Sequence, residues 1–309
     1  MNLISFLQLV RWKNLLMIAF IQILFKYVYF PTFSVDETLS NLSFSVLVLA
    51  TISIAAAGYI INDIFDIKAD HVNKPQKVII NRIISIKRGY FYYYLLNAFG
   101  ILAGLFVAYH SKKISFIALF IITALLLKLY NSNFKKIPLL GNIVISLLVS
   151  LSILIVGIFD IIPAVNEDNV VSQYYAFKVL TDYAIFAFIF MLLREIVKDI
   201  EDVNGDNLLN MKTLPILFGR KRTNKIVFML SFVPLVLVTN YSFQNFSNTP
   251  FVLSYMLIVV VLPLLYFMTK ILYAKTKKEY TFASNLLKII MLLGMLSIVI
   301  VSISIRYAE

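Results

Sequence analysis

Nine runs of predominantly apolar residues, each long enough to cross a lipid bilayer, divide this chain. A helix needs about 20 such residues to span the hydrocarbon core. The strands of a transmembrane β-barrel would instead be short and alternating in polarity. The sequence therefore predicts an all-α, polytopic membrane protein with nine transmembrane helices. The predicted spans are Leu15–Phe30, Phe44–Asp66, Tyr90–Tyr109, Ile114–Tyr130, Leu139–Ile162, Phe177–Lys198, Lys225–Tyr241, Phe251–Ala274 and Ser284–Ile305.

The composition agrees with burial in lipid. Hydrophobic residues make up 61% of the 309 residues and charged residues 14%, whereas soluble domains contain about 45–50% and 25%. A water-soluble fold of this size could not bury so much apolar surface. The chain has no cysteine, which excludes a disulfide framework, a thiolate metal site and a cysteine nucleophile. We expect a single transmembrane domain covering residues 1–309.

The basic residues predict how the chain is oriented in the membrane. With the nine predicted spans, all but five of the 28 Lys and Arg residues lie on the side of the N-terminus. Cytoplasmic loops carry an excess of Lys and Arg, so the N-terminus is predicted to be cytoplasmic, in the inner or plasma membrane of the cell. Basic loops beside anionic lipid also explain the net charge of +12, without any need for nucleic acid as a partner.

Half of the 16 acidic residues fall in two short segments, at the cytoplasmic ends of the second and sixth helices. Residues three, four or seven apart share one face of an α-helix, so each segment is predicted to form a polar stripe. The first stripe consists of Asn62, Asp63, Asp66 and Asp70, and the second of Asp199, Asp202 and Asp206. We expect the sixth helix to end or unwind near Asp206, because Gly205 favours a helix terminus.

The two acidic stripes indicate a metal site. Carboxylates stacked on one helical face repel each other and are costly to draw into hydrocarbon. These two faces carry no equally dense set of basic residues, so a bound cation is the natural partner. Oxygen ligands without Cys or a His pair favour Mg²⁺ or Mn²⁺ over Zn²⁺. Because Mg²⁺ usually bridges one or two carboxylates to substrate phosphates, two facing clusters predict a diphosphate held between them through metal ions.

Two other interpretations of the acidic segments stay open. They could be solvated helix ends, in which Asp66 or Asp202 pairs with a nearby lysine. They could also belong to the ion or proton pathway of a secondary transporter. Transporters, however, place such residues near the midplane on helices broken by Gly or Pro. Here the acids cluster at one membrane face, and nine spans do not divide into two equal halves.

Longer motifs surround both stripes. The first reads Asn62-Asp63-x-x-Asp66-x-x-x-Asp70 followed by Asn73-Lys74-Pro75, and the second reads Lys198-Asp199-Ile200-Glu201-Asp202-x-x-Gly205-Asp206 followed by Thr213-Leu214-Pro215. Shorter motifs are Arg11-x-x-Asn14 before the first helix and Tyr130, Lys135, Lys136, Pro138, Leu139, Gly141 and Asn142 between the fourth and fifth. Together they resemble the UbiA superfamily of intramembrane prenyltransferases, and the resemblance extends over essentially the whole chain.

This resemblance implies nine helices around a central cavity, with an active site at the cytoplasmic face. There Mg²⁺ would bind an isoprenoid diphosphate, whose prenyl group is transferred to a lipid or aromatic acceptor. By the same resemblance, Asp66 and Asp202 would be essential for catalysis. The residues that would hold metal and diphosphate are Asn62, Asp66, Asp202 and Asp206, supported by Asp63, Asp70 and Asp199. The residues that would line the diphosphate end are Asn14, Lys74, Tyr130, Lys135 and Lys136, with Lys77 where family members often carry Arg.

The acceptor is predicted from the form of the second motif. That motif is most similar to the branches of the superfamily that act on geranylgeranylglycerol phosphate, and next to those that act on quinone precursors of the menaquinone or ubiquinone type. A mouth rich in Lys and Arg suits a phosphate-bearing acceptor and suits the diphosphate donor equally well. We therefore expect a geranylgeranylglycerol phosphate-like acceptor, with a quinone precursor as the alternative.

Overall fold

The computed structural model describes residues 3–306, which are almost entirely helical. Within this range nine helices are long and apolar enough to cross a membrane. The predicted number of spans is thus confirmed, and the chain is an integral membrane protein. The spans are α1 (Trp12–Thr32), α2 (Asn41–Phe65), α3 (Ile86–His110), α4 (Ile114–Ser132), α5 (Leu140–Ala164), α6 (Val170–Leu208), α7 (Arg220–Phe246), α8 (Pro250–Tyr273) and α9 (Lys277–Arg306).

Short helices flank the spans on the side that carries both motifs. They are Leu3–Leu9 before α1, Ile67–Asn73 directly after α2, and Leu214–Phe218 between α6 and α7. The largest departure from the predicted spans is α6, which has 39 residues. The predicted membrane span ended at Lys198, where the apolar run stops, although the helix itself was expected to reach about Asp206. A helix continues beyond the lipid, however, as long as its backbone hydrogen bonds and its packing continue, and α6 carries the whole second motif.

Close helix contacts hold the first half of the bundle together. Glycines on α3 allow its neighbours to approach: a Cβ on Gly100 would lie 2.6 Å from a side-chain carbon of Ile54 on α2. A Cβ on Gly104 would lie 2.4 Å from the ring of Phe120 on α4. Small residues of this kind are typical of helix interfaces in membranes, where close van der Waals packing takes the place of the hydrophobic effect.

A buried ion pair ties α1 to α5 at the end of the bundle opposite the motifs. The Lys26 amine lies 2.8 Å from a carboxylate oxygen of Asp160 and 2.9 Å from one of Glu37, and Lys26 and Asp160 are both fully buried. The amine also donates to the carbonyl of Leu39, and the second oxygen of Asp160 accepts from the backbone N–H groups of Thr38 and Leu39. This network satisfies both charges within the protein.

The spans enclose a cavity of about 1130 Å³ that opens at the end carrying the motifs. Its walls come from α1, α2, α4, α5, α6 and α9. The mouth is lined by charged and amide side chains, whereas the interior is lined mainly by apolar ones, including Ile18, Ile54, Phe120, Leu148 and Ile155.

Candidate active site

The first motif spans the end of α2 and a bend that follows it. At Asp66 the backbone leaves helical geometry (φ −92°, ψ 3°), and the short helix Ile67–Asn73 starts immediately afterwards. Helical hydrogen bonds continue through the bend. The N–H of Asp66 donates to the carbonyl of Asn62 (2.9 Å), and the N–H of Asp70 donates to the carbonyl of Asp66 (2.8 Å). The predicted stripe is therefore present, but on two helices joined at Asp66 rather than on one.

Hydrogen bonds fix the side chain of Asn62 at the centre of the first motif. Its Nδ2 donates to Asp66 (3.0 Å) and to Oδ1 of Asn131 on α4 (2.9 Å), while its Oδ1 accepts from Nη2 of Arg11 (3.0 Å). The same guanidinium nitrogen lies 2.9 Å from Asp63. Arg11 thereby holds Asn62 and Asp63 in place from outside the motif.

The second motif is helical throughout. The prediction that α6 ends near Asp206 is confirmed, because its last residue is Leu208, but Gly205 lies inside the helix rather than at its end. The reason for a glycine is close packing: a Cβ on Gly205 would lie 2.3 Å from Nδ2 of Asn73 and 2.6 Å from the carbonyl oxygen of Ala69. The short helix of the first motif thus presses directly against the second motif.

Asn73 joins the two motifs by hydrogen bonds in both directions. Its Nδ2 donates to the carbonyl of Asp202 (2.8 Å), and its Oδ1 accepts from the N–H of Gly205 (3.0 Å). Lys74, the next residue, forms an ion pair of 2.5 Å with Asp202. The two acidic stripes consequently lie on opposite sides of one cavity mouth, at a spacing that Asn73 determines.

Lysines from other segments neutralise part of this negative charge. Lys135, from the segment between α4 and α5, forms an ion pair with Asp66 as Lys74 does with Asp202. Burial lowers the pKa of the Lys135 amine, but the attraction of Asp66 outweighs it and the net shift is upward. Burial raises the pKa of Asp70 to about 6, and repulsion from Asp66 and Asp63 adds to that shift. Asp70 thus experiences the negative charge of its two neighbours despite the lysines nearby.

The donor set fits Mg²⁺ shared with a phosphate rather than Mg²⁺ held by protein alone. In residues 3–306 no three acidic, His or Cys side chains lie close enough together to hold a metal ion by themselves. The carboxylates are instead distributed around a common space, and Oδ1 of Asp202 is buried without a hydrogen-bond partner. Mg²⁺ prefers oxygen ligands and commonly completes its shell with substrate phosphates and water. Facing carboxylates with an oxygen that accepts no hydrogen bond match that preference.

The cavity brings together all but one of the predicted site residues. The predicted metal ligands that line it are Asn62, Asp63, Asp66, Asp70, Asp199, Asp202 and Asp206. The predicted substrate contacts that line it are Asn14, Lys74, Lys77, Tyr130 and Lys135. Lys136 does not line the cavity. Its side chain is exposed, and its carbonyl accepts a hydrogen bond from the N–H of Lys212.

Several residues that position the site were not predicted from the sequence. Asn142 donates to Asp199 (2.8 Å) and Asn131 accepts from Asn62, so both orient a predicted ligand. Asn14 is itself held by Tyr59 of α2 (3.2 Å) and Lys288 of α9 (2.6 Å). Asn142 lies within a motif and could have been found there. Lys288 stands alone in an apolar run, and only the structure relates it to the site.

The fold and this site agree with what comparison with known proteins shows. Residues 23–297 match the model of the UbiA prenyltransferase family, so the chain belongs to that family. It is 29% identical to a digeranylgeranylglyceryl phosphate synthase of Methanosarcina mazei, over 96% of this chain and 97% of the relative.

Two solved structures share the fold. A structure described as digeranylgeranylglyceryl phosphate synthase in membranes superposes with a TM-score of 0.62 at 24% identity, over 97% of this chain and 98% of the other. A UbiA homologue from Archaeoglobus fulgidus bound to DMAPP and Mg²⁺ superposes with a TM-score of 0.54 at 15% identity, over 95% and 99% of the two chains. These likenesses establish the architecture of the bundle.

Proposed function

We propose that this protein is a Mg²⁺-dependent prenyltransferase that acts within the membrane. It transfers the prenyl group of an isoprenoid diphosphate to a lipid acceptor of the glycerol phosphate type. The observation that carries the proposal is the pair of acidic stripes, which face each other across one cavity mouth and are tied together by Asn73. The family, and the Mg²⁺ and DMAPP bound by the Archaeoglobus homologue, support the same chemistry.

The metal ligands in this proposal come from both stripes. Asn62, Asp66, Asp202 and Asp206 hold Mg²⁺ and, through it, the diphosphate, with Asp63, Asp70 and Asp199 as supporting groups. Bound Mg²⁺ supplies electrostatic stabilisation of the departing diphosphate. The chain's own part is to keep the two sets of carboxylates at one spacing, which the bonds of Asn73 to Asp202 and Gly205 support.

The lysines at the mouth act on the diphosphate. Lys74 and Lys135 pair with Asp202 and Asp66, and both amines would be available to phosphate oxygens if a cation bound those carboxylates. Lys77, Asn14 and Tyr130 line the same end of the cavity. An ammonium next to the leaving group stabilises the charge that develops as the bond to carbon breaks.

The apolar interior of the cavity accommodates the prenyl chain. From Asp66 the lining of α2 continues back to Thr51, 15 residues away, which corresponds to about 22 Å along a helix. Phe120 of α4 and Ile155 of α5 lie at the deep end with Thr51. Such a lining excludes water, which would otherwise capture the allylic cation formed when the diphosphate leaves.

The orientation and the acceptor complete the proposal. The excess of Lys and Arg on the side of the mouth supports an active site at the cytoplasmic face, in one domain formed by all nine spans. The name of the Methanosarcina relative supports a glycerol phosphate lipid as acceptor. A quinone precursor is the second candidate, because the second motif is also similar to those branches of the family.

The proposal is tested with purified protein in vesicles. Radiolabelled geranylgeranyl diphosphate is supplied with Mg²⁺ and with either geranylgeranylglycerol phosphate or an aromatic quinone precursor. The proposal expects label in an ether lipid, only with Mg²⁺ and only with the glycerol phosphate acceptor. Label in the aromatic product would show that the acceptor is a quinone precursor rather than a glycerol phosphate lipid. Uptake of label into the vesicles without any product would indicate a transporter and contradict the enzyme.

A further inference from the structure

A cluster of cations lies on the wall of the cavity and begins next to the second acidic stripe, since Lys198 directly precedes Asp199. We call Arg194, Lys198 and Lys288 the basic patch. Arg194 and Lys198 are one helical turn apart on α6, Lys288 belongs to α9, and all three line the cavity. All three are within membrane-spanning helices, where a charged side chain is costly and usually has a function.

The basic patch carries more positive charge than its surroundings neutralise. Its carboxylate partner is Glu195, which lies 3.3 Å from Nη1 of Arg194 and 2.9 Å from the amine of Lys198. Lys288 forms no ion pair within residues 3–306; its amine donates to the neutral amide oxygen of Asn14 at 2.6 Å.

Arg194 also has a donor without an acceptor. Its side chain is only 15% exposed, and its Nε is buried and makes no hydrogen bond. An unpaired buried donor costs about 1–3 kcal/mol, and more when the group is charged. A guanidinium binds phosphate through paired N–H donors. An anion in the cavity beside Arg194 would therefore satisfy this nitrogen and balance Lys288.

Arg194 of the basic patch lies apart from the proposed diphosphate site, whereas Lys198 adjoins it. Arg194 is five residues from Asp199 along α6, which corresponds to about 7.5 Å along the helix axis. The lysines that pair with the acidic stripes are Lys74, Lys135 and Lys277, and none of them belongs to the patch. One cavity can thus hold a diphosphate at its acidic stripes and a second anion at its basic patch.

We propose that the basic patch binds the phosphate monoester of the acceptor and so selects phosphate-bearing acceptors. This inference rests on the proposed function and adds to it the group by which the acceptor is recognised. The bond from the first prenyl carbon to the diphosphate breaks, the diphosphate leaves with the electron pair, and the acceptor hydroxyl oxygen then forms the new ether bond to that carbon. The hydroxyl proton is lost to water at the mouth. The patch takes no part in these bond changes and positions the acceptor.

The test compares two acceptors that differ in one group, geranylgeranylglycerol phosphate and geranylgeranylglycerol. For each enzyme the ratio of their kcat/KM values is measured. We expect Arg194→Gln and Lys288→Met each to lower this ratio by about 10- to 100-fold, the size expected for a lost hydrogen bond to a charged group. Lys288→Arg should restore part of it. Lys278→Met is the matched control, because Lys278 lies on the same helix, is exposed and does not line the cavity.

Three results would overturn the inference. They are an unchanged ratio in both variants, an equal rise in KM for the diphosphate donor, and a wild-type enzyme that uses both acceptors equally well. Vesicles with and without anionic lipid distinguish a bilayer headgroup as the true ligand. If the patch binds that headgroup instead, anionic lipid alters wild-type activity, and the acceptor ratio is the same in wild type and variants.

A binding measurement separates this inference from the proposed function. Equilibrium binding of radiolabelled geranylgeranylglycerol phosphate and geranylgeranylglycerol is measured without any donor. A preference for the phosphate that Lys288→Met abolishes supports the patch even if no transfer occurs, in which case the proposed function alone is wrong. Transfer without any such preference would support the proposed prenyltransferase function and contradict phosphate binding by the basic patch.

Discussion

Asn73 clamps the backbone of α6 at Gly205, which accepts no side chain without displacing Asn73. The N–H of Gly205 donates to Oδ1 of Asn73 at 3.0 Å, and an added Cβ would lie 2.3 Å from Nδ2 of the same side chain. A Cβ would also meet the backbone oxygen of Ala69 at 2.6 Å, and a backbone atom cannot swing aside. The spacing of the two acidic stripes therefore depends on the absence of a side chain at position 205.

Gly205→Ala is expected to separate the stripes and abolish most of the transfer activity. Misplacement of catalytic groups by about 1 Å can reduce a rate by about 100-fold, and we expect a loss of that order. The measurement is label transfer from geranylgeranyl diphosphate by purified variants. Gly294→Ala is the control, because Gly294 also lies within a helix but an added Cβ there has no neighbour within 4 Å. Equal activity of the two variants would show that the clamp is dispensable.

Asp66→Ala and Asp202→Ala are each expected to lower kcat on the order of 10²–10³-fold, the effect of removing one electrostatic element from a site where charge develops. Each substitution removes a carboxylate from one of the two facing stripes. Insertion into the membrane should be unaffected, as judged by the yield of detergent-solubilised protein. Asp168→Ala serves as the control, since Asp168 is exposed in the loop between α5 and α6. Near-normal turnover of both cavity variants would rule out the metal clamp.

Removal of Mg²⁺ by a chelator should stop transfer, and added Mg²⁺ should restore it. The carboxylate of Asp199 accepts a hydrogen bond of 2.8 Å from Asn142. Asp199→Asn keeps the size of this side chain but removes its charge. We expect this variant to need a higher concentration of free Mg²⁺ for half-maximal activity, with partial recovery when Mg²⁺ is raised. The measurement is a Mg²⁺ titration of initial rates. Activity that persists in chelator would contradict the metal assignment.

Ala55→Phe is expected to shorten the prenyl chain that the enzyme accepts. Ala55 lines the cavity on α2, 11 residues from Asp66, or about 16 Å along a helix. A ring at this depth blocks a long chain but leaves room for a short one. We expect the ratio of kcat/KM for the 20-carbon donor to that for the 5-carbon donor to fall by about tenfold or more, because even one misfit methylene changes such ratios by about 10- to 200-fold.

The control for this prediction is Ala118→Phe, which adds the same ring to an exposed position on α4 that does not line the cavity. If Ala55→Phe and Ala118→Phe show the same donor preference, the prenyl chain does not occupy the apolar part of the cavity.

Lys26→Met is expected to destabilise the fold without altering the chemistry. It leaves Asp160, which is fully buried, without its cation, and breaking a buried pair costs about 3–5 kcal/mol. The midpoint of thermal unfolding in detergent should fall, while the donor KM of the remaining folded protein stays at its wild-type value. Lys178→Met, at an exposed position of α6, should leave the midpoint unchanged. An unaltered midpoint for Lys26→Met would show that the ion pair contributes nothing to stability.

The sequence predicted the number of spans and the two acidic stripes because both are periodic features of local sequence. Lipid requires about 20 apolar residues per helix, and one helical face repeats every three or four residues. The predicted sixth span stopped at Lys198, although the helix itself was expected to reach about Asp206 and ends at Leu208, because polarity marks where a helix leaves the lipid rather than where its backbone hydrogen bonds stop. The role of Gly205 was misjudged for a related reason. A glycine is required there by its close contact with Asn73, which is 132 residues away in the sequence.

Long-range contacts also account for the site residues that were missed. Asn131 and Lys288 carry no local pattern, and their importance follows from Asn62 and Asn14, which the fold brings beside them. Lys136 shows the converse error. Its neighbour Lys135 points to Asp66, and successive residues of a tight turn point in different directions, so a shared motif did not give both lysines a place in the cavity.

The central claim is that both acidic stripes hold one diphosphate through shared cations. The most direct measurement is the anomalous diffraction of Mn²⁺ in crystals grown with a non-hydrolysable prenyl thiolodiphosphate. The account predicts Mn²⁺ peaks between Asp66 and Asp202, each in contact with a diphosphate oxygen. Diphosphate bound outside the cavity mouth, or Mn²⁺ contacting only one of the two stripes, would contradict it.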